Sequence, residues 1–141
     1  MALKLAERGY DLVVTARRAE LLQTLADEVR TRSGRRVDLI VADLRDPADL
    51  AVVARRAGTG VDILVANAGF SSRGFFPELP LQSEIGQIEL NVVSTVVLCH
   101  AAASVMAERG TGRILITSSA ASFQPLPGLA TYGATKAFLT S

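Results

Sequence analysis

A phenol and an ammonium group stand four residues apart near the end of the chain, at Tyr132 and Lys136 in the stretch TYGATKAF. Residues four apart share one face of a helix, so we expect the amine of Lys136 to lie near the phenol. A free phenol has a pKa of about 10, and a nearby positive charge favours the phenolate. Ser119, in the stretch ITSSA, precedes Tyr132 by 13 residues. Together these groups could exchange a proton with a bound oxygen atom.

The composition is that of one globular domain over residues 1–141, with 49% hydrophobic residues to form a core. Fifteen basic and 14 acidic residues leave a net charge of +1, so we expect neither a nucleic-acid nor a membrane partner. We expect charges and glycines to interrupt every apolar run before it reaches the ~18 residues of a membrane span. Cys99 is the one cysteine, which predicts a reducing, cytoplasmic location. Neither Cys99 nor His100 has evident metal-binding partners, so we expect no metal.

Helical and extended patterns alternate strictly along the chain. Four short apolar runs predict buried strands: YDLVVTA, RVDLIVAD, VDILVANAG and GRILITSS. Amphipathic patterns predict helices in ALKLAERG, in RRAELLQTLADEVRTRSG, in DPADLAVVARRAG and over roughly residues 81–109. Asp46 is the expected N-cap of the third helix, with Pro47 at its first position and Gly58 at its end. This alternation predicts an α/β fold with a doubly wound parallel sheet.

Ligands of such sheets bind at the carboxyl ends of the strands, so the residues that follow each strand are candidate site residues. Each of the four strand ends carries small or polar groups. In chain order they are Ala16 to Arg18, Asp43 and Leu44, Asn67 to Gly69, and Ser118 and Ser119. Because the strands are expected to be parallel, these four ends should meet at one crevice.

The joint presence of four motifs resembles the short-chain dehydrogenase/reductase family: NAG after the third strand, the Asn of LNVVS, ITSS and YGATK. The resemblance covers essentially the whole chain and implies a Rossmann-like fold in an oxidoreductase. It implies that Tyr132 exchanges a proton with a small-molecule carbonyl or alcohol substrate, whose oxygen Ser119 polarises. It implies that Lys136 holds the cofactor ribose beside Tyr132, and that Asn91 holds a water in a proton relay. Hydride moves between the cofactor and the substrate carbon.

The residues after the first strand favour NADP over NAD as the cofactor. NAD-dependent proteins of this architecture place an acid there, whereas this chain has Arg17 and Arg18. A guanidinium suits a 2′-phosphate because it forms bidentate, charge-assisted hydrogen bonds. We expect Arg17 to make the main contact and Arg18 to support it. The resemblance implies adenine contacts at Asp43 and Leu44, and a close backbone approach to the cofactor at Asn67, Ala68 and Gly69.

The chain departs from the family pattern in a way that predicts an incomplete sheet. The Gly-rich turn TGxxxGxG, which supplies backbone donors for a pyrophosphate, is absent from the sequence. The resemblance also implies a central first strand and further C-terminal strands that are missing here. We therefore expect residues 1–141 to be inactive alone, and the full-length protein to form a homodimer or homotetramer.

Two other readings of the sequence stay open. The chain could be a non-catalytic remnant, or a binding protein of the same fold. It could also carry another chemistry on the same scaffold, such as that of a sugar epimerase or dehydratase. The second reading is disfavoured because the Tyr-Lys unit occurs with a simple-reductase NAG and no sugar-nucleotide features are visible. The substrate is not identified, because the segment expected to select it is missing.

Overall fold

The computed structural model describes residues 1–141 as alternating helices and strands. The helices are α1 (Ala2–Glu7), α2 (Ala19–Ser33), α3 (Pro47–Ala57), α4 (Leu81–Ile88), α5 (Ser94–Arg109) and α6 (Ala130–Thr140). The strands are β1 (Leu12–Ala16), β2 (Val37–Val41), β3 (Ile63–Ala66) and β4 (Arg113–Ile116). A π-helical segment, Glu89–Val93, joins α4 directly to α5, and 3-10 turns cover Phe76–Glu78 and Ala120–Ser122. The predicted α/β alternation is confirmed.

All strand pairing is parallel, but the strands form two separate pairs. Strand β1 pairs with β2, with Leu12 opposite Val37, and β3 pairs with β4, with Ile63 opposite Arg113. No ladder joins the two pairs. A cleft of about 550 Å³ is lined by residues of α1 on one side and of β3 and β4 on the other. The predicted incomplete, doubly wound parallel sheet is therefore what the structure contains.

The expectation that all four strands are buried is wrong for β4. All four residues of β4 are exposed, including Ile114, Leu115 and Ile116 at 37%, 47% and 37%. The residues of β3 are only half-buried. An inner parallel strand is buried when helices cover both its faces and strands flank both its edges, whereas β4 pairs along one edge only. The apolar sequence of β4 is thus that of an inner strand without its full set of neighbours.

The hydrophobic core has two main parts, one on each side of β2. Side chains of α1, α2, β1 and β2 form the first, which contains Ala6, Leu12, Ala26, Val29 and Val37. The end of β2 packs with α3 and α5 in the second, which contains Ala42, Leu44, Leu50, Val53 and Leu98. Asp46 caps α3 as expected, because its carboxylate accepts hydrogen bonds from the backbone amides of Ala48 and Asp49.

The long helix 81–109 corrects the expectation about apolar runs. The 18 residues from Leu90 to Ala107 contain neither a glycine nor a charged side chain. By length and composition the 29-residue helix could cross a membrane. In the fold its apolar residues Leu98, Ala102 and Met106 are buried against α3 and the nearby strands. Core helices of soluble proteins have the same composition, so this property is weak evidence for a membrane span.

Residues 1–141 expressed alone should self-associate through the exposed β3–β4 pair, because an open strand edge beside apolar side chains pairs with other chains. Sedimentation velocity should show oligomers, and thermal unfolding should lack a cooperative transition. Leu115→Lys should reduce the association. Leu21→Lys on α2 is the matched control, since both leucines are 47% exposed. A monodisperse monomer with a cooperative transition would contradict this expectation.

Candidate active site

Lys136 is the residue around which the site is built, because its side chain is buried although it carries a charge. The residue is only 4% exposed, and its ammonium donates one hydrogen bond, to the carbonyl oxygen of Thr117 at 2.8 Å. An ammonium has three donors, so two N–H groups have no protein acceptor. Burying a charge is costly unless it is fully paired. A ligand with several acceptor oxygens would complete the bonding of this ammonium.

Helix α6 brings Tyr132 beside this amine. The Nζ atom of Lys136 lies 5.8 Å from the centre of the Tyr132 ring, within the range of a cation–π interaction. The four-residue spacing therefore produces the proximity that the sequence predicts.

Asn91 is fully buried in the π-helical segment and connects three parts of the chain. Its amide nitrogen donates to the carbonyl oxygen of Phe70 and to the hydroxyl of Thr135, both at 3.0 Å. Its amide oxygen accepts from the backbone amide of Phe70 at 3.1 Å. Both N–H groups of the side chain are thus committed within the protein. The amide itself ties the loop after β3 to helix α6.

Gly69 lies where this helix, the loop after β3 and the lysine meet. A Cβ atom built on Gly69 would be 3.0 Å from Oδ1 of Asn91 and 3.6 Å from Nζ of Lys136. Only a residue without a side chain leaves this position open. Glycine is therefore required here because the side chains of Asn91 and Lys136 come so close to the backbone. The neighbouring residues Asn67 and Ala68 are exposed, as a loop that contacts a ligand would be.

The ends of β3 and β4 are joined by a side-chain hydrogen bond. The hydroxyl of Thr117 donates to Oδ1 of Asn67 at 2.9 Å. Ser118 donates from Oγ to the carbonyl oxygen of Lys136 at 3.0 Å, which connects the end of β4 to α6. The predicted crevice at the carboxyl ends of these two strands is therefore held together by polar contacts.

Ser119, the expected catalytic hydroxyl, precedes the 3-10 turn at Ala120–Ser122. Its Oγ accepts from the backbone amide of Ala121 at 3.2 Å and makes no hydrogen bond to Tyr132. The hydroxyl still has its own proton to donate. Ser119 is half-buried, so this proton is accessible to a ligand.

A second polar cluster lies at the end of β2. Arg45 donates two hydrogen bonds to the carboxylate of Asp43, from Nε at 3.1 Å and from Nη2 at 2.6 Å. Nη1 of Arg17 lies 4.0 Å from the same carboxylate. The hydrogen bonds from the Arg45 side chain lower the pKa of Asp43 to about 2. Asp43 is thus charged at neutral pH, and two guanidinium groups surround one carboxylate. The cluster carries a net positive charge that favours an anion.

The other two expected cofactor residues are placed differently. Arg18 is exposed, precedes α2 without capping it, and forms no ion pair. Leu44 is buried in the core, so only its backbone could contact a ligand. The structure brings Arg17 and Asp43 together and leaves Arg18 apart from them.

Gly86 on α4 is the point where the two clusters meet. A Cβ built there would lie 3.5 Å from the ring of Phe70 and 3.7 Å from Nη1 of Arg45. Phe70 is bonded to Asn91 beside the lysine, whereas Arg45 holds Asp43. Gly86 is therefore packed between a residue next to the lysine site and a residue of the arginine cluster.

Three polar residues in and around these clusters were not predicted from the sequence. Arg45 was overlooked although it follows Asp43 by two residues, the spacing at which an aspartate bonds its own turn. Thr135 precedes Lys136, but no pattern marked it as the partner of Asn91. Glu84 is buried and is the one charged residue of α4, and its charge was the available signal.

Chemically, the arrangement joins a buried ammonium and a phenol at one end to exposed cationic charge at the other. These two groups of side chains suit a ligand that carries hydroxyls in one part and an anionic group in another. No cluster of three or more His, Cys, Asp or Glu side chains is present that could hold a metal ion.

Comparison with known proteins identifies the family. The family model described as short chain dehydrogenase matches residues 1–141. The chain belongs to the short-chain dehydrogenase family. A short-chain dehydrogenase from Sphingobium yanoikuyae, whose structure is a complex with NADPH, superimposes with a TM-score of 0.93. It is 39% identical, and the match covers 97% of this chain and 55% of that one.

Curated relatives are named both as oxidoreductases and as inactive proteins. An uncharacterized oxidoreductase of Myxococcus xanthus is 35% identical over all of this chain and 56% of its own length. The human inactive hydroxysteroid dehydrogenase-like protein 1 is 30% identical over 96% of this chain and 42% of its own length. The chain thus spans about half the length of the curated relatives it matches.

Gly69→Ala should weaken cofactor binding of a short-chain dehydrogenase that contains this segment. The added methyl group would press on Asn91 and Lys136, and overpacking costs about 1–3 kcal/mol, which is about 5- to 150-fold in affinity. Gly58→Ala is the control, because its Cβ would make only ordinary contacts of 3.5 Å far from the site. Calorimetric titration with NADPH measures both variants. Equal affinity in the two variants would mean that the cofactor does not approach Gly69.

Proposed function

We propose that the chain forms the central part of an oxidoreductase that transfers a hydride between NADP(H) and a carbonyl or alcohol substrate. The catalytic residues in this proposal are Asn91, Ser119, Tyr132 and Lys136. The observation that carries it is the buried ammonium of Lys136, with two unused donors, 5.8 Å from the phenol ring of Tyr132. A lysine whose role was only structural would reach solvent or a carboxylate.

The residues present fit a dinucleotide cofactor. The unused donors of Lys136 suit ribose hydroxyls, and the open position at Gly69 leaves room for the cofactor beside them. Asp43 and the backbone of Leu44 would contact the adenine, and the exposed backbone at Asn67 and Ala68 would line the path between the two ends. The bound nicotinamide would supply the hydride.

In this proposal each protein group has one task. Ser119 donates a hydrogen bond from its hydroxyl to the substrate oxygen and so polarises the carbonyl. Tyr132 donates a proton to that oxygen on reduction and accepts one on oxidation, and the charge of Lys136 stabilises the resulting phenolate. Asn91 holds α6 against the loop after β3 through its bonds to Thr135 and Phe70. The amide hydrogens of Asn91 are already used within the protein, so a water of the proton relay would have to donate to an oxygen atom of Asn91.

NADP is favoured over NAD by the cluster at the end of β2. Arg17 is 66% exposed, and its Nη1 lies 4.0 Å from the Asp43 carboxylate, which is the outer limit of an ion pair. Its guanidinium is therefore available to a 2′-phosphate. Because the Asp43 carboxylate already accepts two hydrogen bonds from Arg45, the positive charge of Arg17 is largely uncompensated. Arg18, on the same turn, would add long-range attraction. The Sphingobium yanoikuyae relative observed with NADPH supports the same preference.

For the full-length protein we propose a homodimer or homotetramer in the cytoplasm. Support comes from a cavity of about 420 Å³ between α4 and α6, with a mostly apolar lining that includes Phe76, Ile88 and Val92. Phe76 and Ile88 are exposed, together with Leu81 and Ile85 on the same helix. A surface of this kind is typical of contacts between subunits.

The second candidate is a non-catalytic remnant or binding protein of the same fold. Two observations favour it: the sheet is split into two pairs, and a human relative is named inactive. The intact set of Ser119, Tyr132 and Lys136 favours the enzyme, because a protein that only binds the cofactor could use Lys136 but has no need for the hydroxyls of Ser119 and Tyr132.

Tyr132→Phe tests the catalytic assignment in a completed chain, in which residues 1–141 are joined to the flanking segments of the Sphingobium yanoikuyae dehydrogenase. The variant loses its exchangeable proton, so kcat should fall by about 10²-fold or more while NADPH affinity is retained. Tyr10→Phe, a substitution in the core beside α1, is the control. Near-normal turnover in Tyr132→Phe would remove the phenol from the mechanism.

Arg17→Asp tests the cofactor preference in the same completed chain. The substitution replaces a charge-assisted contact with a repulsive one, so NADPH binding should weaken by about 2–3 kcal/mol. NADH binding should change much less. Arg55→Asp, the same charge change at an exposed site on α3, is the control. Fluorescence titration measures both cofactors, and an equal loss for the two would show that Arg17 does not read the phosphate.

A further inference from the structure

The carboxylate of Asp43 lies near two arginines that contact it in different ways. The backbone amide and Nε of Arg45 donate to Oδ1 at 3.0 and 3.1 Å, and its Nη2 donates to Oδ2 at 2.6 Å. Nη1 of Arg17 lies 4.0 Å from Oδ2, which is beyond hydrogen-bond distance. Both oxygens of the carboxylate are therefore bonded to Arg45 and neither is bonded to Arg17.

The backbone on both sides of Asp43 holds this residue in place. Its amide donates to Oδ2 of Asp49 at 2.8 Å, and its carbonyl oxygen accepts from the amide of Asp46 at 2.8 Å. Arg45 belongs to the same closed turn, whereas Arg17 follows strand β1. Arg17 could bond the carboxylate only if its own side chain moved toward it.

Arg45 is also the more confined of the two arginines. Its side chain is 37% exposed, against 66% for that of Arg17. A Cβ built on Gly86 would lie 3.7 Å from Nη1 and 3.8 Å from Cδ of Arg45, so helix α4 packs beside this side chain. A confined guanidinium loses less conformational entropy on pairing than a mobile one. These differences explain why Asp43 pairs with Arg45.

This pairing decides how much positive charge is left for a ligand. Asp43 and Arg45 neutralise each other, and the full charge of Arg17 remains. The hydrogen bonds from Arg45 lower the pKa of Asp43 to about 2, so the carboxylate is charged at neutral pH. Without Arg45, this carboxylate would be free to pair with Arg17. A pair of Arg17 and Asp43 has no net charge, and its carboxylate would repel a phosphate.

We propose that Arg45 determines the cofactor preference, because it binds the Asp43 carboxylate and so keeps Arg17 free for the 2′-phosphate of NADP(H). This inference rests on the proposed function, in which Arg17 contacts that phosphate. Arg45 touches neither cofactor nor substrate in this role and is a positioning residue. The preference for NADP thus depends on a side chain that acts only through Asp43.

Arg45→Gln in the completed chain tests the proposal through the ratio of NADPH affinity to NADH affinity. The ratio should fall by about tenfold, because Asp43 then competes with the phosphate for a charge-assisted bond to Arg17. NADH affinity should change much less, and contacts to the adenine cancel in the ratio. Fluorescence titration measures both affinities. An unchanged ratio in Arg45→Gln would overturn the proposal.

Arg36→Gln is the matched control. Arg36 also donates from its backbone amide, Nε and Nη2 to one aspartate, Asp11, but it precedes β2 and so lies at the opposite end of the strands. The control loses the same charge and the same kind of ion pair, and its cofactor ratio should equal that of the parent. An equal fall in both variants would mean that net charge alone sets the ratio, which contradicts the proposal.

The Asp43→Asn background shows whether Arg45 acts through Asp43. Without the carboxylate nothing competes for Arg17, so adding Arg45→Gln to Asp43→Asn should change the cofactor ratio by less than about twofold. A tenfold fall in this background as well would mean that Arg45 attracts the phosphate itself. That result would overturn the positioning role.

Crystal structures without cofactor separate this inference from the proposed function. In Arg45→Gln, the distance from Nη1 of Arg17 to Oδ2 of Asp43 should shorten from 4.0 Å to about 3 Å, a hydrogen bond. If the parent binds neither cofactor but this bond forms in the variant, the proposed function fails and the control of Arg17 by Arg45 stands. If the two side chains stay 4.0 Å or more apart in the variant, the inference fails, whatever the parent binds.

Discussion

The side-chain amide of Asn91 is the constraint on which the rest of the site depends. It is fully buried and bonds the backbone of Phe70 in both directions while it donates to Thr135. A buried amide with these partners can adopt only one orientation, since a rotation would leave donors without acceptors. The loop after β3 and helix α6 are therefore held at a fixed separation, and Gly69 and Lys136 face each other across it.

Burying charged side chains has a free-energy cost, and this cost explains which partners surround Lys136 and Glu84. A buried ammonium and a buried carboxylate both lose hydration, so each must be surrounded by oriented partners. Glu84 accepts hydrogen bonds from Ser72 and Gln87, whereas Lys136 has only the carbonyl oxygen of Thr117 as a partner. The carboxylate is thus satisfied within the protein and the ammonium is not. This difference marks Glu84 as part of the framework and Lys136 as part of the ligand site.

Much of the fold and part of the site could be predicted from the sequence, because both rest on local patterns. Apolar periodicity placed the helices and strands, and the four-residue spacing placed Lys136 beside Tyr132. The partners of Asn91 could not be predicted, because Thr135 lies 44 residues away and only the tertiary fold brings the two together. The exposure of β4 was missed because an apolar sequence predicts a buried strand, whether or not strands flank both of its edges. The spacing of Asp43 and Arg45 indicates a turn, but it does not indicate the two hydrogen bonds from the Arg45 side chain to the Asp43 carboxylate.

The most direct test of this account follows the hydride itself. The completed chain would be incubated with NADPH that carries deuterium at both C4 positions of the nicotinamide and with a panel of small ketones, and the alcohols would be analysed by mass spectrometry. The account predicts one deuterium on the carbinol carbon of the product and none on its oxygen. A correctly folded, NADPH-saturated chain that yields no deuterated alcohol from any ketone would contradict it and would leave the chain a binding protein of the short-chain dehydrogenase fold.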